Sequence, residues 1–302
     1  MRPGRAAVIA AFAVVLCAAA PPEALGRTNT RKHAHAPSPP AALDARVTGT
    51  FEMLARVTTA KNVRGEHVGQ SLKRRWLMSP QSCAGSVCQA LELDRERSAG
   101  IDESFTLHRV ATGTYAGGGS FYVALRCKHK TYPHGSRAPY RITLSVSSAV
   151  SVQGIAFARA ITATYQNSKR SDRTPCVLGK SHDAARYTGN ATSAIPSPPV
   201  ASFSTQVDGA TDGASFTDTS APAPGGAQIV STQWSFGDPT SGAGDSSTEA
   251  APSHRFSAPG VYTVTLTVTD ANGLSSTTTQ PVTAPGPPTA AFASARNGSW
   301  PT

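Results

Sequence analysis

Residues 259–270 read PGVYTVTLTVTD. Tyr262, Val264, Leu266 and Val268 alternate without a break with Thr263, Thr265, Thr267 and Thr269. Successive side chains of a strand point to opposite faces, so this is a strand with an apolar inner face and a β-branched outer one. Pro259-Gly260 supplies the tight turn into it. Upstream, residues 228–236 form a second strand that ends in Trp234-Ser-Phe236-Gly237-Asp238, where Gly237 lets the chain turn and Asp238 accepts from backbone donors in that turn. Trp234 and Tyr262 are large enough to fill the middle of a two-sheet core. That role suits a half of the chain that holds no cysteine.

Four segments occur in order around these strands: Pro199-Val-Ala-Ser-Phe203, the Trp234–Asp238 block, Pro252-Ser-His254-Arg-Phe256, and Pro259 through Gly273. Together they resemble the polycystic kidney disease (PKD) domain, an immunoglobulin-like β-sandwich of extracellular proteins. The resemblance spans residues 198–283 and implies framework roles for Trp234, Phe236, Gly237, Asp238, His254, Tyr262 and Gly273. Pro239 departs from the pattern by standing where the family usually has Gly, and the loop to Asp245 is longer. PKD domains act as spacers, adhesion modules and accessory domains of secreted hydrolases without catalytic residues of their own, and some members hold calcium. Asp208, Asp212, Asp218 and Asp245 match no calcium-loop spacing, so turn and surface roles are expected of them. No cofactor is expected; calcium is the one the resemblance leaves open.

The other half differs in charge. The chain of 302 residues is +10 overall, but residues 27–195 carry 24 Lys and Arg against 10 Asp and Glu, a balance of +14. Residues 196–302 carry 2 against 7, a balance of −5. From Ala45 to about Gly189 the apolar period is again two: Phe51, Met53, Ala55 and Val57, then Phe121, Val123, Leu125 and Cys127, then Ile142, Leu144 and Val146. Turns are expected at Gly65–Gly69, Gly117–Gly119 and Pro133–Pro139. Ala156–Tyr165 reads as a short helix or, by its alternation, a strand. The expected fold class is all-β: six to eight strands in a disulfide-stapled sandwich or small barrel at 45–189, a Pro-rich linker at 190–197, and the immunoglobulin-like sandwich at 198–283. Residues 284–302 repeat the opening of that sandwich, in Pro287-Pro-Thr-Ala-Ala-Phe292, and are a tail or the stub of a second repeat.

Residues 1–26 have the layout of a secretory signal: Arg2 and Arg5, an apolar run from Ala6 to Ala20, then small residues up to Gly26. Secretion follows, with association at the cell surface left open, and no apolar run of spanning length remains after cleavage. Residues 27–44 lack periodicity and read as a disordered leader. Signal removal leaves Cys83, Cys88, Cys127 and Cys176 in an oxidising compartment. Of three possible pairings, Cys83–Cys88 and Cys127–Cys176 are favoured, since the first closes a short loop at Gly85 and the second joins distant strands.

Clustered cations beside an aromatic ring suit an anionic polymer. Lys73, Arg74, Arg75 and Trp76 form the best local candidate, and Arg126, Lys128 and Lys130 a second; a charged solvent face with Trp76 in the core is the plainer alternative. The run Glu92-Leu-Asp94-Arg-Glu96-Arg reads as a solvated strand edge. No catalytic residue is assigned and no metal ligand set is found: the chain has no Gly-x-Ser-x-Gly, no His-Glu-x-x-His and no phosphate-binding Gly loop. Two readings remain. The favoured one is a non-catalytic secreted protein whose basic domain binds an extracellular glycan or protein, anionic in character, with the PKD domain as spacer or adhesion module; nucleic acid is not expected as its physiological partner. The other is a secreted polysaccharide or peptide hydrolase with an accessory PKD domain.

Overall fold

A computed structural model describes residues 42–63, 65–98, 101–127, 129–167, 170–172, 181–209 and 211–286, with the backbone alone at 96–98, 101–102 and 172. The signal, nearly all of the leader and the C-terminal tail lie outside the described residues, as do Lys128 and Cys176. Described secondary structure is almost all β.

The basic half is a barrel. Its strands are β1 (Gly49–Lys61), β2 (Ser71–Ala84), β3 (Val87–Ser98), β4 (Ile101–Ala111), β5 (Thr114–Cys127), β6 (Lys130–Val152), β7 (Ile155–Asn167), the two-residue β8 (Ser171–Asp172) and β9 (His182–Ala191). They pair in the order β5-β4-β3-β2-β1-β9-β7-β6-β8, and a further β5–β6 pairing closes the ring. Leaving β8 aside, eight antiparallel strands thus run as an up-and-down meander closed on itself, with an unpaired side left along the first half of β6 among the described pairings. Alternation selects the contents: Phe51, Met53, Trp76, Met78, Leu91, Leu93, Ile142, Leu144 and Val146 are buried inside, while Glu52, Arg56, Lys73 and Arg75 between them are exposed.

Ala156–Tyr165 belongs to a strand, because Phe157, Ile161, Ala163 and Tyr165 keep a two-residue period against β6 and β9. Two of the expected turns are also strand. Gly117–Gly119 lie within β5, where their missing side chains make room for β4 at Gly117 and for β6 at Gly118 and Gly119: a Cβ on Gly119 would stand 2.8 Å from the Tyr140 hydroxyl oxygen. Pro133–Pro139 lie in β6 opposite β5, at a stretch whose other side meets only β8, since pairing with β7 starts at Arg141. Proline is tolerated at such an edge. The loop at 62–70, with Gly65 and Gly69, joins β1 to β2 as expected.

One end of the barrel is closed by the chain entering it. Leu43 and Asp44, read as the end of the leader, are already engaged: the Leu43 amide donates to Val146, and the Asp44 carboxylate accepts from Arg109 Nη2 at 3.0 Å and from the Gly113 amide at 2.8 Å. Cys83 and Cys88 are disulfide-bonded across the β2–β3 hairpin at this end. Cys127 is also disulfide-bonded. The last strand runs to Ala191, two residues into the segment read as linker, and Thr192 and Ser193 still bond to Thr50.

The acidic half is a sandwich. β10 (Phe203–Val207), β11 (Gly213–Asp218) and β14 (Ser253–Arg255) form one sheet; β13 (Ser246–Ser247), β12 (Ile229–Ser235), β15 (Gly260–Asp270) and β16 (Ser275–Ala284) form the other. Phe203, Phe216, Trp234, Phe236, Val264 and Leu266 fill the space between them. Where Pro239 departs from the family pattern, the loop to Asp245 makes two 3-10 turns broken by a kink at Gly242, which has φ 63°. Proline fits the first turn of such a helix because its missing amide would be unpaired there.

Candidate functional site

Parity along β2 divides the first basic cluster. Leu72, Arg74 and Trp76 point into the barrel, whereas Lys73 and Arg75 point out to solvent. Trp76 is only 1% exposed, so it does not stack on a surface ligand beside these cations: the plainer core reading holds for the ring, and the cluster is two half-sites on opposite sides of one wall. Arg126 and Lys130 are exposed on β5 and at the start of β6, with Lys130 Nζ 5.1 Å from the centre of the Tyr132 ring.

The inner half-site opens into a cavity of ≈ 300 Å³ at the barrel end opposite the disulfide hairpin. Trp76 and Tyr187, 4.9 Å apart between ring centres, form an aromatic wall together with Tyr165 and Phe121, and Val57, Leu72 and Val123 add aliphatic surface. Five charged groups line it: Arg74, Arg95, Arg170, Glu66 and Asp183. Arg95 continues the inward series of Leu91 and Leu93 and is 6% exposed, so the run from Glu92 is not wholly a solvated edge. Glu103 on β4 holds the Arg95 guanidinium at 3.1 Å (Nε) and 2.8 Å (Nη2), and its other oxygen accepts from the Tyr140 hydroxyl at 2.6 Å. The same guanidinium lies 4.6 Å from the Tyr140 ring centre and 5.7 Å from that of Tyr165. A desolvated cation over aromatic faces gains from their quadrupoles.

Arg170 Nη2 donates to Asp183 at 2.7 Å, and both groups are nearly buried. Burial, reinforced by the Asp183 carboxylate, pushes the Glu66 carboxyl above its ordinary range. Burial likewise raises the Tyr165 and Tyr187 hydroxyls. Arg74 makes no ion pair among the described residues; its Nη1 donates to the Lys73 carbonyl at 2.9 Å. Arg95, Glu103, Arg170, Asp183 and Glu66 were not singled out from the sequence. The signal for Arg95 was its odd-numbered place after Leu91 and Leu93; Arg170 and Asp183 stand 13 residues apart, beyond the reach of a local pattern.

The outer half-site continues over residues of four strands, β2, β1, β9 and β6. Arg56 on β1 is the direct cross-strand partner of Arg186 on β9, and both are exposed. Lys73 lies opposite Leu54, Arg75 opposite Glu52, and Arg141 opposite Gln166 on the same outer surface. A shallow depression runs between Glu52, Leu54, Lys73 and Arg75.

In the sandwich, Asp238 is 1% exposed and accepts from the Ser257 hydroxyl at 2.6 Å, the Ser257 amide at 2.8 Å and His254 Nε2 at 3.3 Å. The Ser257 bonds, with His254 assisting, hold its pKa below the ordinary carboxylate value. His254 stacks flat on Phe236, ring centres 4.4 Å apart. Ser257 donates to the carboxylate and not to the imidazole, so the trio is a structural knot and lacks the relay geometry of nucleophilic catalysis. Gly237 adopts φ 71°, and a Cβ there would stand 2.5 Å from the Thr263 carbonyl oxygen. The Tyr262 hydroxyl donates to the Ala258 carbonyl at 2.8 Å, and Gly273 has φ 74°. Asp218 accepts from the Ser220 amide, and Asp245 from the Asp238 amide, which are turn roles. Among the described residues no three His, Cys, Asp or Glu side chains converge as metal ligands, and no helix is long and apolar enough to cross a membrane.

The protein is therefore a two-part β protein, a closed barrel followed by an immunoglobulin-like sandwich. Residues 196–284 match the PKD domain family, and the chain is a PKD domain-containing protein. Two solved structures resemble this part: the PKD1 domain of Vibrio anguillarum Epp, 34% identical over 31% of this chain and 100% of that one, with a TM-score of 0.27; and the PKD1 domain from Vibrio cholerae metalloprotease PrtV, 37% identical over 30% and 99%, with a TM-score of 0.26. A microbial collagenase of Vibrio alginolyticus is 44% identical over 55 residues, which are 18% of this chain and 6% of that protein. The chain thus spans a small fraction of that relative's length.

Proposed function

We propose that this is a non-catalytic extracellular binding protein: the outer wall of the barrel engages an anionic glycan of the envelope or matrix, and the PKD domain serves as spacer or adhesion module. The observation that carries the reading is the Arg56–Arg186 pair. Like charges directly opposite on neighbouring strands destabilise a sheet, and neither arginine has an acidic partner among the described residues. With Lys73, Arg75 and Arg141 on the same outer surface, a polyanion would relieve that repulsion and release its own counterions. The signal-like segment at 1–26 supports export. The relatives named as a collagenase and a metalloprotease support an accessory role for the PKD domain. The test is retention of the whole exported chain on immobilised alginate and heparin. Retention that falls steeply with salt, and that Arg56→Glu with Arg186→Glu abolishes while the fold is kept, is expected. Retention indifferent to salt or to the double reversal overturns the reading.

A further inference from the structure

The cavity at the barrel end is a second feature, on the opposite side of the wall from the arginine pair. Eight strands enclose an interior that side chains fill or that holds one small ligand. Here filling stops short of the end: Met53, Met78 and Leu93 pack the middle, and beyond Trp76 the ≈ 300 Å³ space remains. That volume is at the small end of those that take organic ligands. Its wall is aromatic and aliphatic on several strands, while its charged groups gather as Arg74, Arg95, Arg170, Glu66 and Asp183.

These groups are unequally committed. Asp183 is occupied by Arg170, and Glu103, which is not part of the lining, occupies two nitrogens of Arg95. Arg170 Nε, buried, has no hydrogen-bond partner. Arg74 donates to the Lys73 carbonyl and makes no close ion pair among the described residues, although both it and Arg170 feel the charge of the Glu66 carboxyl, which burial pushes toward its neutral form. The lining therefore presents unspent guanidinium donors beside an aromatic wall. A buried donor left unpaired is costly, and an anionic acceptor on the ligand would satisfy it.

We propose that this cavity binds a small flat organic anion, an aromatic carboxylate of about two fused rings, with its ring against Tyr187, which Trp76 backs, and Phe121, and its carboxylate toward Arg74 and Arg170. Arg fits this task better than Lys because its planar fork matches a carboxylate. The site is independent of the outer wall, which faces solvent on the other side of the same strands.

The test is calorimetric titration of the whole chain with three probes of one shape: 2-naphthoate, 2-naphthalenemethanol and 2-naphthylmethylammonium. Naphthoate is expected to bind at least tenfold more tightly than either of the others. Arg74→Gln is expected to remove that preference, and Arg74→Lys to keep part of it, both with an unchanged melting temperature in the absence of probe. Trp76→Phe is expected to delete the change in tryptophan emission that naphthoate causes. The Arg56→Glu, Arg186→Glu chain is expected to bind naphthoate as the parent does, which separates this site from the polyanion wall. No naphthoate binding at millimolar concentration, equal binding of the ammonium probe, or an Arg74→Gln variant that binds as the parent does, each overturns the proposal.

Discussion

The barrel and the sandwich are written in the same two-residue alphabet and differ in the charge they carry, +14 over residues 27–195 against −5 over 196–302. In the sandwich most strong polar groups around the core are tied to a neighbour: Asp238 takes three donors, Trp234 Nε1 donates to the Glu249 carbonyl at 2.8 Å, and one Asp270 oxygen receives the Leu274 amide, while its other oxygen, Asp212 Oδ1 and Thr205 Oγ1 are buried without a partner among the described residues. Its surface is poor in charge. In the barrel the apolar filling gives way at one end to ion pairs and arginines with donors to spare, and the outer wall sets two arginines face to face. The uncommitted buried groups of the sandwich are two carboxylate oxygens and a hydroxyl, whereas those of the barrel include a guanidinium nitrogen at the cavity, with two more arginines facing each other on the outer wall. On the function proposed above, binding falls to the barrel and scaffolding to the sandwich.

The contrast is sharpest at Arg95. Arg95→Met leaves Glu103 buried without its cation, and removing one partner of such a pair costs about 3–5 kcal/mol. Arg95→Met with Glu103→Leu and Tyr140→Phe, the last removing the hydroxyl that donates to Glu103, is expected to recover most of that loss, since replacing all partners by apolar groups is near neutral. Denaturant unfolding followed on the barrel measures both. If the single variant is as stable as the parent, the pair is not the internal brace described here.

A smaller effect is expected in the sandwich. Asp238 has a folded-state pKa below its ordinary value of 3.8. Its contribution to stability is therefore complete above that ordinary value and is lost as pH falls through the lowered folded one. Ser257→Ala removes the hydroxyl that does most to lower it, so the acid-unfolding midpoint of the sandwich, read by Trp234 emission, moves to higher pH. The barrel's own acid transition is expected to stay in place. A midpoint that does not move contradicts the knot.

The smallest effect concerns the contact between the two parts. Gln153, at the β6–β7 turn, donates to the Ser275 carbonyl at 2.8 Å and accepts from the Ser275 amide at 2.9 Å. Losing this exposed two-point contact in Gln153→Ala costs about 1 kcal/mol. Proteolysis at residues 194–199 is expected to accelerate several-fold, with both parts still folded. An unchanged cleavage rate would show that this contact does not couple them.

Much of the fold was legible because alternation is local. The series from Phe51, Phe121, Ile142 and Tyr262 each fell on the buried face, and the Cys83–Cys88 bridge followed from its short loop. Closure into a barrel was not legible, since it rests on β5 meeting β6 and β9 meeting β1, pairings set by twist and strand count and not by any motif. Gly117–Gly119 misled because the same residue that permits a turn also permits close approach, and only the position of Tyr140 distinguishes the two. The site was half legible. Cations beside Trp76 were visible, but reading them as one cluster ignored the parity of the strand on which they sit. Arg170 and Asp183 come together only through folding.

The central claim is that the barrel's cations are a binding surface and the sandwich is not. The most direct measurement is the slope of log affinity against log salt for alginate binding by the whole chain. About one unit of slope is expected for each charge neutralised, so the parent should show a slope of about −3 to −5, and Arg56→Glu with Arg186→Glu should reduce its magnitude by at least two units. An equal slope in parent and variant would contradict the claim.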